Sequence, residues 1–211
     1  MYIIIPHIDN FTIYNTIGLA IAMSQVGEDG EPKPLEVIAS SLECFDFEPL
    51  PSGEGYEARC IKGASWVGTA MVSGTIVEGT QRYSASFGRL FQYITGANAR
   101  NQGISMTAPV ISKQDQDGHK TMFFKVPGAL DPPAPTEPTV FLEKWQDAVV
   151  YCRAFGGNDR SEERYRKELE KLAEAVRKDG KEVDTSVTLT AGFTRPGFGQ
   201  QRQEVMYFAK C

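Results

Sequence analysis

The chain has 211 residues, 41% of them apolar and 23% charged, the balance of a globular domain with a real core rather than of a disordered chain. Lys and Arg total 22 against 27 Asp and Glu, a net charge of -5, so neither nucleic acid nor an anionic membrane is expected as the main partner. Four cysteines are too few for a disulfide scaffold and form no C-x-x-C pair, and no apolar run reaches the ~18 residues of a transmembrane helix.

Residues 1–35 read as a poorly ordered N-terminal extension that adds little to the core, which leaves 36–211 as the folded domain. The stretch is apolar but broken by Pro6, Asp9 and Asn10, and its first basic residue is Lys33. The positive n-region of a secretory signal is therefore missing, although Ala20-Ile21-Ala22 loosely imitates a cleavage site. A secretory signal is the alternative reading of this stretch.

Strands are predicted at 56–61 and 66–74, with a turn at Lys62-Gly63-Ala64. An amphipathic helix follows, its apolar positions Tyr83, Phe87, Leu90, Phe91 and Ile94 on one face of a 3.6-residue period, stopping near Gly96. Two more strands, 105–112 and 120–126, turn at Asp117-Gly118 and complete a first unit of about 55–127. A Pro-rich connector over 131–138 leads to a second unit, about 139–210. Its strands are predicted at 139–144, 148–156, 186–193 and 204–209. Its helix carries Tyr165, Leu169, Leu172, Ala173 and Val176, each 82 residues after its counterpart, capped near Ser161 and ending at Gly180. Each half is thus β-β-α-β-β. The expected fold is α+β: eight antiparallel strands closing into a barrel, with two helices packed outside and a groove along the joint.

Little in the sequence points to catalysis. His7 lies in the extension and His119 in a hairpin turn, and no Ser-His-Asp order, phosphate loop or metal triad is present. Carboxylates over 160–181 alternate with bases, as on a solvated helix face. Cys152 reads as buried. Cys60 closes the first strand, either as a small strand residue or as a thiolate within reach of a metal. The stripe Tyr83, Phe87, Phe91 is either core or a surface on which a flat ligand such as a porphyrin stacks. The loop containing Phe193, Arg195 and Phe198 can border the same region, with Arg195 and Arg202 as partners for ligand carboxylates.

Several segments resemble the SOUL/heme-binding protein family. They are Tyr56-Glu57-Ala58-Arg59 before Trp66-Val67, the helix end Leu90-Phe91-Gln92-Tyr93-Ile94-Thr95-Gly96, Met106-Thr107-Ala108-Pro109-Val110, Pro132-Pro133-Ala134-Pro135-Thr136, residues 149–157, Thr190-Ala191-Gly192-Phe193 and Glu204-Val205. The resemblance spans roughly 40–210. It implies a distorted eight-stranded barrel from two repeats, and a cytosolic, non-enzymatic protein that binds heme or other tetrapyrroles for buffering or transport. Where some members place an axial histidine this chain has Cys60, so thiolate ligation is possible but not inherited. In members without that histidine the tetrapyrrole lies in an apolar groove beside the first helix, which here corresponds to Ser84, Phe87 and Phe91, with Phe193 and a basic residue such as Arg195 at the edge. An arginine often found at the position of Ser84 is absent. Some members are linked to mitochondria and cell death, which sets a second expectation: a protein partner held by Leu169, Leu172 and Val176 of the second helix. A third is a small-molecule enzyme using the groove, with Glu57 or Tyr83 as acid or base. The chain is expected to be a monomer.

Overall fold

The computed structural model describes residues 42–71, 81–157, 159–193 and 202–210, the side chains of 81–84 excepted. The expected extension over 1–35 lies outside the described residues, as do Arg195 and the side chains of Tyr83 and Ser84. In chain order the elements are β1 (Phe47–Gly53), β2 (Tyr56–Ile61), β3 (Ala64–Met71), α1 (Gln81–Ile94), β4 (Val110–Gln114), β5 (Lys120–Lys125), β6 (Val140–Trp145), β7 (Ala148–Phe155), α2 (Glu162–Lys178), β8 (Val183–Gly192) and β9 (Gln203–Ala209).

The strands form one antiparallel sheet in the order β1-β2-β7-β9-β8-β4-β5-β3-β6. The α+β class stands, but the closed eight-stranded barrel does not: the described residues form nine strands, in an open order. The physical reason is β1. It pairs with β2 from Phe47↔Ile61 to Gly53↔Tyr56 and so occupies the edge that an eight-strand closure would offer to β6. Pro49 and Pro51 hid this strand from the sequence pattern, because proline removes ladder donors; an edge strand tolerates that loss. Without β1, the order reads the same from both ends when β2 to β5 are exchanged for β6 to β9.

Strand alternation sorts the side chains into an inner and an outer set. Ile61, Trp66, Ile111, Phe123, Val150, Cys152, Leu189 and Met206 share the inner cluster, with Phe45 and Phe193. Outward, the sheet carries two patches, one under each helix. Tyr56, Ala58, Tyr151, Val205 and Tyr207 meet Leu172, Ala173 and Val176 of α2. Val67, Met122, Phe124 and Val140 meet Leu90, Tyr93 and Ile94 of α1. Gly68 is required where the inner layer is tightest: a Cβ there would lie 2.5 Å from Phe123 Cε1 and 3.0 Å from Phe141 Cε2.

Both helices end as their sequences dictate. Ser161 Oγ accepts the Arg164 N–H at 3.2 Å and caps α2, with Glu162 and Glu163 in the first turn and Arg177 and Lys178 in the last, all favourable to the helix dipole. α1 gives way at Gly96, whose φ of 125° few other residues accept. Tyr93 then anchors that end. Its hydroxyl donates to Pro133 O at 2.8 Å, and burial pushes its phenol up to about 12.

Candidate functional site

α1 is amphipathic, and its apolar stripe is wider than the sheet below needs. Leu90, Tyr93 and Ile94 are fully covered. Phe87 and Phe91 sit at the margin of the same cluster and are only partly buried. Their i,i+4 spacing puts one ring above the other: centroids 6.0 Å apart, planes 15° from parallel. Phe124 fixes the lower ring edge-on, 5.1 Å from Phe87. The result is a rigid aromatic plate at the rim of the helix. Gly88 lies beside it, on the stripe that runs through positions 84, 88 and 91. A Cβ on Gly88 would meet no described atom within 4 Å beyond the helix's own backbone. A mid-helix glycine with open space costs roughly 0.5–1 kcal/mol relative to alanine, and glycine is typical where a ligand approaches the backbone closely. The sequence signal was present, a glycine inside an amphipathic helix, yet the pattern of apolar positions drew attention past it.

The other expected site residues do not gather here. Phe193 is 3% exposed and belongs to the inner cluster, 6.5 Å from the Phe45 ring. It lies on the far side of the sheet from Phe87 and Phe91. Cys60 shares its strand face with Tyr56 and Ala58, which lie under α2 rather than α1. It is partly buried, between Glu48 on β1 and Val149 on β7 in the ladder. The backbone at Ser84 is the first turn of α1. Leu172 and Val176 are fully buried against the sheet, so the face of α2 expected to hold a protein partner is already covered. His119 is exposed in the β4–β5 hairpin. Asp115 takes its backbone N–H at 2.9 Å and lies 3.3 Å from its ring, so the Asp115, Asp117 and His119 group is explained as a turn.

The inner face also holds charge that the sequence reading passed over. Arg59 and Glu204 are 2% and 0% exposed. Arg59 donates through Nη1 to Glu204 Oε2 at 2.9 Å and through Nη2 to Glu57 Oε2 at 2.5 Å. Arg202 Nε donates to Glu204 Oε1 at 2.7 Å and its guanidinium rests 6.0 Å from the Phe193 ring. Burial works against charge on Arg59, but Glu204 outweighs it and holds the guanidinium above its ordinary value. The signal was two i,i+2 pairs, Glu57/Arg59 and Arg202/Glu204, each on one face of its strand. Arg202, expected to meet a ligand carboxylate, is thus engaged inside the protein. Cys152 lies next to this cluster, donating to Glu57 O at 3.5 Å, and burial pushes its thiol up. On α2, Glu168 departs from the solvated reading: it is 1% exposed and held by Arg153 at 2.8 Å and Lys171 at 2.8 Å.

The SOUL heme-binding protein profile matches residues 42–208. The chain belongs to this family. Heme-binding protein 2 of Homo sapiens is 33% identical over 159 residues, 72% of this chain and 75% of that one. Heme-binding protein 2 of Mus musculus is 31% identical over 179 residues, 81% and 84% of the two chains. Heme-binding protein 1 of Xenopus laevis is 27% identical, over 59% of this chain and 65% of that one. Among solved structures, a hydrolase from Listeria innocua superposes with a TM-score of 0.53 at 7% identity, covering 76% of this chain and 94% of that one. The EcmrR C-terminal domain does so at 0.53 and 11%, covering 78% and 98%. At such identities the likeness shows the fold alone and says nothing of activity. No described helix is long and apolar enough to cross a membrane.

Proposed function

We propose that this SOUL-family chain binds heme or a related tetrapyrrole non-covalently on the outer flank of α1, without catalysis, as a cytoplasmic, monomeric heme carrier or buffer. The observation that carries the reading is the partly buried, near-parallel Phe87/Phe91 plate beside the open Gly88. The names and family of the relatives support heme as the ligand. When bound, heme presents a wide apolar plane with an iron at its centre and two carboxylates at one edge.

The residues fit the plane better than the iron. Phe91 and Phe87 offer stacked faces, Gly88 lets the plane close on the helix backbone, and Ser84 lies one turn earlier on the same stripe. Arg195, which follows β8 in the sequence and lies outside the described residues, is the proposed propionate partner. Cys60 sits under the other helix, so the proposal assigns binding without thiolate ligation. Phe193 acts behind the sheet as core rather than as a ligand contact.

The test is a hemin titration followed by Soret absorbance. Phe87→Ala is expected to weaken binding about tenfold, from the ~0.5–1.5 kcal/mol of ring stacking plus lost apolar contact. Phe155→Ala removes a buried aromatic under α2, 5.7 Å from the Tyr165 ring, and is expected to leave affinity unchanged once folding is verified. Cys60→Ser is expected to leave the Soret position unchanged. Equal losses in the two phenylalanine variants would sink the groove assignment, and a moved Soret band in Cys60→Ser would restore the thiolate.

A further inference from the structure

We propose that the free edge of β6 docks a second copy of this chain, strand against antiparallel strand about a two-fold axis. β6 ends the sheet and has only β3 beside it among the described residues. Phe141 and Leu142 on this strand are 41% and 38% exposed, two of the three large apolar side chains so exposed among the described residues; the third, Val149, lies on β7. The opposite edge is defended. The Lys62 N–H donates to Asp46 O, so alternation along β1 aims Phe47 and Pro49 away from β2. Pro49 has no N–H to offer a further strand, and Pro51 follows it. β6 carries no proline.

The ladder fixes which groups face outward. The Val126 N–H donates to Ser65 O at 2.9 Å, so Ser65 is turned toward β5, and Lys144, opposite it on β6, is turned away from β3. The same alternation turns Leu142 and Val140 outward, and the Val140 N–H is already taken by Glu137 O at 3.0 Å. Centred on Leu142, two copies exchange both Leu142 bonds, and each Lys144 N–H meets a Val140 carbonyl. That makes four bonds, and the occupied Val140 N–H needs none. Leu142 then stands against its own counterpart on the outer face, and the two Phe141 rings are diagonal neighbours on the inner face, within aromatic reach. A register centred on Glu143 sets two carboxylates directly opposite, and one centred on Lys144 sets two ammonium groups opposite; like charges in those places are destabilising. Charge therefore selects the Leu142 register. A six-residue strand from each side buries less than the ~1,200 Å² of a stable interface, so the pairing is weak and reversible. Dilute protein is a single copy, as the heme reading has it, and the two readings stand or fall separately.

The experiment is sedimentation velocity of the heme-free full chain from ~10 µM to ~1 mM, with amide hydrogen exchange followed by NMR at both ends of that range. The average mass is expected to climb from that of one copy toward that of two, while exchange at Leu142 and Lys144 slows. Leu142→Lys brings two ammonium groups together at the axis, and Lys144→Pro removes an outward N–H but no bond to β3. Each is expected to weaken association at least about tenfold once a thermal melt shows it folded. Val149→Lys, at an equally exposed position inside the strand order, is expected to leave association unchanged. A single-copy mass throughout, or equal losses in Leu142→Lys and Val149→Lys, would overturn the dimer. Exchange at Leu142 and Lys144 that is already slow in the most dilute sample would give the edge to another segment of the same chain and overturn the second copy as its occupant.

Discussion

Glu204→Gln isolates the buried charge cluster better than any other single change. Glutamine keeps the shape of the side chain and one acceptor oxygen but removes the negative charge. In the native protein that carboxylate is 0% exposed and takes bonds from Arg59 at 2.9 and 3.2 Å and from Arg202 at 2.7 Å. Without it, two nearly buried guanidinium groups lose a fully buried counter-charge and keep Glu57, whose side chain is 54% exposed. Removing one partner of a buried ion pair typically costs about 3–5 kcal/mol. In a domain of this size each kcal/mol moves Tm by roughly 2–4 °C, so a fall of about 6–20 °C is expected in a thermal melt followed by circular dichroism. Glu170→Gln is the matched control. It breaks an α2 pair with Arg166 whose members are 61% and 63% exposed, and such a pair is worth roughly 0.3–0.5 kcal/mol. If Glu204→Gln melts within about 2 °C of Glu170→Gln, a difference under about 1 kcal/mol, the cluster is hydrated and the reasoning fails.

Two further substitutions test the packing and the titrating groups. Gly68→Ala places a methyl 2.5 Å from Phe123 and is expected to destabilise by about 1–3 kcal/mol; an unchanged Tm would mean that the inner layer yields freely. Burial raises the pKa of Glu168, but Lys171 and Arg153 outweigh it and leave the group below its ordinary 4.5. Its stabilisation is therefore full above that value and is lost as pH falls through the lowered folded value. Melts of wild type and Glu168→Gln across pH are expected to converge on the acid side, and a gap that stays constant would contradict the assignment.

Much of this fold is legible locally. The 3.6-residue stripes gave both helices, and period-two alternation gave eight strands within a few residues. β1 was not legible because Pro49 and Pro51 erase the strand signal, and its place on the edge of β2 follows from tertiary pairing. Closure failed for the same reason, since one extra strand decides whether an edge is free. The site divides in the same way. Phe87 and Phe91 could be read from spacing, but their partial burial depends on how far β3 and β5 extend beneath α1. Phe193 and Cys60 were joined to them by resemblance; strand parity and sheet order separate them, and both are non-local. The Arg59–Glu204 cluster shows how a charge pair on one strand face reads as surface until the other face of that sheet is known.

The most direct measurement is the hemin titration of wild type beside Gly88→Leu. Leucine is a better helix former than glycine by about 0.5–1 kcal/mol, and its first carbon meets no described atom within 4 Å beyond the helix's own backbone, so the variant is expected to melt at or above the wild-type temperature. Its side chain would also stand where the tetrapyrrole plane is proposed to close on α1. A saturable Soret change in wild type that weakens at least about tenfold in this equally stable variant is the expected result, a difference of ~1.4 kcal/mol. An affinity untouched by Gly88→Leu, or a wild type with no saturable change, would contradict the account.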